Sequence, residues 1–246
     1  MTRLAVLADI HGNADALAAV LADVVNQSPD ALVNLGDCFS GPLDAGRTAH
    51  LLAGTRFTAT VRGNHDRWLC DPNAMDAWDK HALPQLTPET LAWLAALPPT
   101  AIVDDAFLCH ATPQDDMSYW LEAYTPDGSP KRATLEKITA RAGNIAQTLM
   151  LCGHTHVPRA VQLKSGRLVV NPGSVGCPGY TDHSAPSPRH ICTGTPHAAY
   201  AILDRQGTTW TVNHRLVPYN TSTAVARARA AGFTDWEQAL DTGWIG

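Results

Sequence analysis

Five short motifs mix carboxylate, amide and imidazole groups: Asp9-Ile10-His11, Gly36-Asp37, Gly63-Asn64-His65-Asp66, Cys109-His110 and Gly153-His154-Thr155-His156. Hard oxygen donors combined with imidazole nitrogens suit first-row divalent cations. Two such ions about 4 Å apart can grip both the attacking and the leaving oxygen of a displacement. Each motif alone is a weak signal. A single Asp9 or Asp37 at a strand end ordinarily caps or turns the chain, a single histidine is ordinarily a satisfied core or surface group, and Asn64 is equally at home in a turn. Taken together, the set of Asp9, His11, Asp37, Asn64, His110, His154 and His156, all at strand ends, has no ordinary packing explanation.

The elements that must position these groups follow from hydrophobic periodicity. Residues 4–7, 31–35, 57–61, 106–109 and 148–152 are short apolar runs that stop at the motifs and read as buried strands. Between them, residues 14–25 place Leu17, Val20, Leu21 and Val24 on one helical face with Asn13 as its cap, and residues 45–52 fit a second helix. Thr87 followed by Pro88 starts a third, through about residue 96. Strand–helix alternation with polar groups at strand ends predicts an α/β fold in which ligands gather where the loops converge. Later, residues 159–163 with 167–170, and 197–203 with 208–216, read as hairpins forming a second sheet. Segments 114–144, with a helix from Ala133, and the loop 177–196 stand out as insertions between core elements beside strand ends, the usual place of lids or substrate walls. Residues 1–220 are assigned to one catalytic domain, and residues 221–246 to a helical tail packed on it through Val225, Phe233, Trp236 and Leu240, with no catalytic signature.

Composition narrows the partners. The chain has 246 residues and a net charge of −5, from 18 basic and 23 acidic residues, with no polybasic block to hold a nucleic-acid backbone. Stable nucleic-acid binding is therefore not expected, while a nucleotide-like substrate stays open. No apolar run approaches a membrane span, and the first strand starts at residue 4, so the expected location is cytoplasmic. The six cysteines form no Cys-x-x-Cys pair and read as reduced thiols used in packing, including Cys38, Cys109 and Cys152 beside the motifs.

In order and chemistry, the motifs from Asp9 to His156, with Asn171-Pro172-Gly173-Ser174-Val175-Gly176 further on, resemble the calcineurin-like metallophosphoesterase superfamily and its small bacterial and archaeal phosphodiesterase-like members. The resemblance implies a four-layer αββα sandwich of two mixed sheets flanked by helices. It also implies that Asp9, His11 and His156 hold one divalent ion, that Asn64, His110 and His154 hold another, and that Asp37 bridges them. Manganese or iron is favoured, with zinc, cobalt and nickel compatible. His65 takes the place of the residue that protonates or stabilises the leaving oxygen, and Asp66 is either its orienting partner or a buried turn residue. The implied activity is hydrolysis of a small phosphodiester or phosphomonoester by a metal-bridging hydroxide. A protein serine/threonine phosphatase-like activity is the nearest alternative, and a non-catalytic metal-binding scaffold is the alternative of another class.

Several further residues carry two readings. Arg47, Arg67 and Arg189 offer phosphate clamps but read first as surface ion-pair partners. His183, His190 and His197 suggest a third metal but are too irregularly spaced. Tyr119, Trp120 and Tyr124 offer a stacking surface, with core packing of the inserted segment preferred. The turn at Asn171 to Ser174 is read as shaping the pocket wall.

Overall fold

The computed structural model describes residues 2–183 and 188–246. In chain order its first half comprises β1 (Arg3–Leu7), α1 (Ala14–Gln27), β2 (Ala31–Asn34), α2 (Ala45–Ala53), β3 (Ala59–Thr60), α3 (Asn64–Trp68), α4 (Ala77–Ala82), α5 (Pro88–Ala96), β4 (Thr100–Val103), β5 (Ala106–Cys109), β6 (Glu122–Tyr124) and β7 (Pro130–Arg132). There follow α6 (Leu135–Ala142), β8 (Leu149–Leu151), β9 (Arg159–Gln162), β10 (Leu168–Asn171), β11 (Gly179–Asp182), β12 (Arg189–Cys192), β13 (Ala198–Gln206), β14 (Thr209–Val217), α7 (Ser222–Ala230) and α8 (Thr234–Thr242).

Two mixed five-stranded sheets, ordered β14-β13-β1-β2-β3 and β4-β5-β8-β10-β9, face one another. Their parallel centres are β1-β2-β3 and β5-β8-β10, with antiparallel strands outside. The inner faces meet in a core that includes Leu4, Val6, Val33, Leu108, Leu151 and Leu203. Alternation along β1 turns Ala5 and Leu7 to the opposite face, under Leu17, Val20 and Val24 of α1 and Leu94 of α5. Met150 and Val169 on the outside of the second sheet pack against Ile138 and Ala142 of α6. The layers are thus helix, sheet, sheet, helix, the arrangement that the resemblance implies. Among the described residues, no helix is long and apolar enough to cross a membrane.

Local signals explain the helix starts. Asn13 accepts from Ala16 N at α1, and Thr87 accepts from Thr90 N at α5, with Pro88 in the first turn. The tail folds as α7 and α8, with Val225, Trp236 and Leu240 buried and Phe233 packed against them.

Three expectations need correction. The two late hairpins do not share a second sheet: β9-β10 joins β8, while β13-β14 joins β1. The run at 57–61 forms a strand only at Ala59 and Thr60, in register with Val33 and Asn34 of β2, while its flanks reach β2 through single bonds from Thr58 N to Leu32 O and from Val61 N to Asn34 O. Segment 177–196 is not simply a loop, since Gly179–Asp182 and Arg189–Cys192 pair antiparallel; residues 184–187 lie outside the described residues. All six cysteines are free, with four of them buried.

Candidate active site

The five motifs converge at the strand ends, held in an uncommon backbone conformation. Asp9, His11, Asp37, His154 and His156 all have φ between 51° and 68°; among the described residues, the other non-glycine positions with positive φ are Ser28 and Asp104. Left-handed backbone disfavours ordinary side chains, so its concentration here is a mark of function. Asp9 with His11, and His154 with His156, are thus paired left-handed residues around Ile10 and Thr155. Close approach completes the arrangement: a Cβ at Gly63 would overlap the Asp37 carboxylate, and one at Gly153 would lie 2.8 Å from Asp9 Oδ2.

Asp9, His11 and His156 form one group and Asp37, His110 and His154 another, each with potential ligand atoms within 4.8 Å of one another. Asn64 joins the second group, its Oδ1 3.1 Å from His110 Nε2. Asp37 Oδ2 lies 3.2 Å from His110 Nε2 and 3.8 Å from His11 Nε2, facing both groups.

Each of the four imidazoles is oriented by a backbone carbonyl. His11 Nδ1 lies 3.0 Å from Ser40 O, His110 Nδ1 2.8 Å from Leu35 O, His156 Nδ1 2.8 Å from Cys177 O, and His154 Nε2 2.8 Å from Met117 O. A carbonyl only accepts, so those nitrogens carry protons, and the neutral rings of His11, His154 and His156 turn bare nitrogens inward, as His110 would once a metal ion displaced its inner proton. His11 Nε2 and His156 Nε2 then face each other at 3.2 Å. Two lone pairs at that distance repel unless a cation lies between them. The Asn64 oxygen likewise faces the bare His154 Nδ1, beside His110 Nε2; with the amide turned over, its nitrogen would lie 3.1 Å from each of these two nitrogens. The donor set thus fits bound divalent ions.

Electrostatics agree. Burial holds His11 and His154 down at about 4 and His156 well below the usual range, keeping these rings neutral and able to ligate near pH 7. Burial opposes a charge on His110, but Asp37, by attraction and hydrogen bonding, raises it to about 10; a metal ion would displace that proton. Burial also lifts Asp9 to about 8, the cost of an unneutralised carboxylate in this interior.

His65 lies against the same centre with a separate partner. Its Nδ1 is 2.9 Å from Asp79 Oδ1, and its ring stacks on Trp78 at 5.3 Å and 10°. Burial disfavours imidazolium, yet Asp37 and Asp79 together raise His65 to about 9. Asp66 does not orient His65. Its carboxylate accepts from Asp37 N, Cys38 N and Gly63 N at 2.8–2.9 Å, stitching two motif loops together. Asp79, absent from the sequence motifs, is the residue bound to His65. Asp76 groups with this pair but caps α4, accepting from Trp78 N and Asp79 N.

A cavity of about 810 Å³ opens over these groups. Tyr119, Tyr124 and Tyr180 line it, whereas Trp120 is buried and donates to Ile138 O, so the aromatic trio divides between wall and core. Arg189 lines the cavity and pairs with Asp182, while Arg47 and Arg67 pair with Asp15 and Asp116 elsewhere. His190 contacts Thr181, and His183, His190 and His197 make no metal-type cluster among the described residues. The Asn171 turn braces the centre: Asn171 Nδ2 donates to Gly153 O, and Ser174 Oγ donates to Asp9 O. The tail reaches the site as well, with the Trp236 ring edge-on to His11 at 5.9 Å.

Comparison with known proteins bears on this arrangement. The profile of the calcineurin-like phosphoesterase superfamily domain matches residues 2–188. The chain is 25% identical over 205 residues to protein MJ0912 of Methanocaldococcus jannaschii, covering 71% of this chain and 76% of that protein. It superposes on a metallophosphoesterase from Sphaerobacter thermophilus with a TM-score of 0.75 at 24% identity, covering 98% of this chain and 99% of the other, a likeness of fold.

Proposed function

The chain belongs to the calcineurin-like phosphoesterase superfamily, and on that premise we propose that it is a metal-dependent hydrolase of a small phosphodiester or phosphomonoester, working at a dinuclear centre. The observation that carries the reading is the set of four imidazoles, each tied by one nitrogen to a backbone carbonyl and each turning the other nitrogen toward Asp9, Asp37 or Asn64. Asp9, His11 and His156 would hold one ion, Asn64, His110 and His154 the other, with Asp37 shared. Divalent ions there would acidify a water near neutral pH and offset charge on the phosphoryl group.

The protein's own groups supply the rest. His65, with Nδ1 engaged by Asp79, has Nε2 available to donate a proton to the departing ester oxygen. The stacked Trp78 ring and the edge-on Trp68 ring, 4.7 Å away, fix its plane and keep water from its faces. Asp37 Oδ1 accepts from His65 N at 3.0 Å, which ties the acid to the donor cluster. The cavity exceeds what one phosphoryl group needs and leaves space for an ester arm.

The test is hydrolysis of an aryl phosphodiester and the matching monoester by metal-stripped protein, with manganese, iron, zinc, cobalt or nickel restored singly. Turnover that requires metal supports the reading, with His65→Ala slowing esters of poor leaving groups far more than these aryl esters, and the preferred ester separates diesterase from phosphatase. Two ions bound per chain with no turnover on either ester would refute it in favour of a binding role.

A further inference from the structure

Beyond the donor cluster, the cavity extends along a wall built by both inserted segments. The segments meet where His190 N approaches Gly128 O, at 3.3 Å, and the Arg189 guanidinium lies over the Tyr124 ring at 4.8 Å and the Tyr119 ring at 5.6 Å. Arg189 is balanced there by Asp182, at 3.1 Å, and Glu122 in the same wall is balanced by Arg159, at 2.7 Å.

Helix α6 adds two cations to this wall. Burial of Ile138 and Ala142 against the second sheet brings Lys137 and Arg141, one helical turn apart, out together on the cavity side. Neither has a carboxylate partner among the described residues. Arg141 is nevertheless held in place. Its Nη1 donates to the carbonyl of Tyr119, and the ring of that tyrosine lies 5.1 Å from the His154 ring. The wall therefore carries two positive charges without a carboxylate partner among the described residues, and the Arg141 guanidinium is held beside the donor cluster. Asp76 also lines the cavity and caps α4, accepting from Trp78 N and Asp79 N.

Resting on the phosphoesterase reading of the cavity floor, we propose that Lys137 and Arg141 form a second anion subsite and that the substrate carries a further phosphate beyond the reacting one. An ammonium beside a pinned guanidinium suits a phosphate, which accepts several charge-assisted hydrogen bonds at once. The substrate class is then a bisphosphate, or a nucleotide with more than one phosphate, rather than a simple neutral-arm ester.

Calorimetric titration of manganese-loaded protein with α,ω-alkanediol bisphosphates of increasing length, each against the alkyl monophosphate of equal length, tests the subsite without requiring turnover. At one span the bisphosphate should bind at least about tenfold more tightly. That ratio should collapse toward the statistical factor of about two in Lys137→Ala and in Arg141→Gln. Taking the ratio within each protein cancels changes in metal loading or folding. Equal affinity at every length, tighter binding of the apolar monophosphates, or a ratio unchanged in both variants would overturn the proposal. Absence of metal-dependent hydrolysis would instead defeat the activity reading and leave the ratio readable.

Discussion

Replacing Asp79 with asparagine separates the proton-donor role of His65 from the remainder of the centre. Asp79 is fully buried; one oxygen meets His65 Nδ1 at 2.9 Å and the other accepts from Asp76 N at 3.1 Å. An asparagine has one acceptor oxygen, so it keeps one of these bonds and turns its amide against the other donor. A hydrogen bond to a charged partner contributes about 1.5–3 kcal/mol, and about 1.4 kcal/mol is tenfold in rate. If that contribution acts on the leaving-group proton, turnover of an alkyl ester should fall about 10- to 100-fold. An aryl ester with a stable phenolate leaving group needs little protonation, so its rate should change by less than about threefold. The assay is kcat for a matched alkyl and aryl pair in wild type, Asp79→Asn, His65→Ala and the double variant. The two losses on the alkyl ester should overlap rather than add, since Asp79 acts through His65. Equal losses on both esters, or fully additive losses, would refute the positioning role.

Asp66→Ala removes the acceptor of three buried N–H groups, at Asp37, Cys38 and Gly63; at about 1–3 kcal/mol for each donor left unsatisfied, chemical denaturation should show at least about 3 kcal/mol lost. Trp236→Ala opens a cavity beneath His11 and Trp78, where the indole is 1% exposed, and should cost about 3–5 kcal/mol in the same measurement. Asp23 is held below the usual carboxylate range by hydrogen bonds from Arg215 and Tyr200, at 2.6 Å from each. The advantage of wild type over Asp23→Asn should accordingly be complete above the unfolded-state value of about 3.9 and shrink as pH falls through the depressed native one. An advantage that instead grew on acidification would contradict that pairing.

The sequence carries information about this protein unevenly. Groups that end strands are legible because an apolar run halts at them, and Asn13 or Thr87 can be read as caps because the partner lies three residues away. What fails is pairing across long separations. Nothing local to 198–206 says that β13 pairs with β1 rather than with the neighbouring hairpin, a choice made by the shared core of Leu4, Val6, Ala201 and Leu203. Asp79 reads as part of a helix cap, which it also is, since its second oxygen accepts from Asp76 N. Trp236 lies in a tail with the periodicity of ordinary packing, and only the folded chain sets its ring on His11.

The donor cluster is strained before any ligand arrives, and the strain has an address. Five non-glycine residues in left-handed backbone, at about 1–3 kcal/mol each, add up to the order of an entire domain's stability. Such a centre persists only if its surroundings hold it, and here the holding bonds cross between motifs. Ile10 N and His11 N both donate to Asp37 O, Gly176 N donates to Asp9 O, and His154 N donates to the Asp9 carboxylate. Each motif thus uses another motif's backbone to stay in place, and the sandwich core beneath fixes them all. It follows that loss of one crossing bond should loosen donors on other strands, while metal binding needs to neutralise the centre and not to build it. Added manganese should therefore raise thermal stability with little change in backbone circular dichroism; a large gain in ordered structure on metal addition would show that the loops assemble only around the ions.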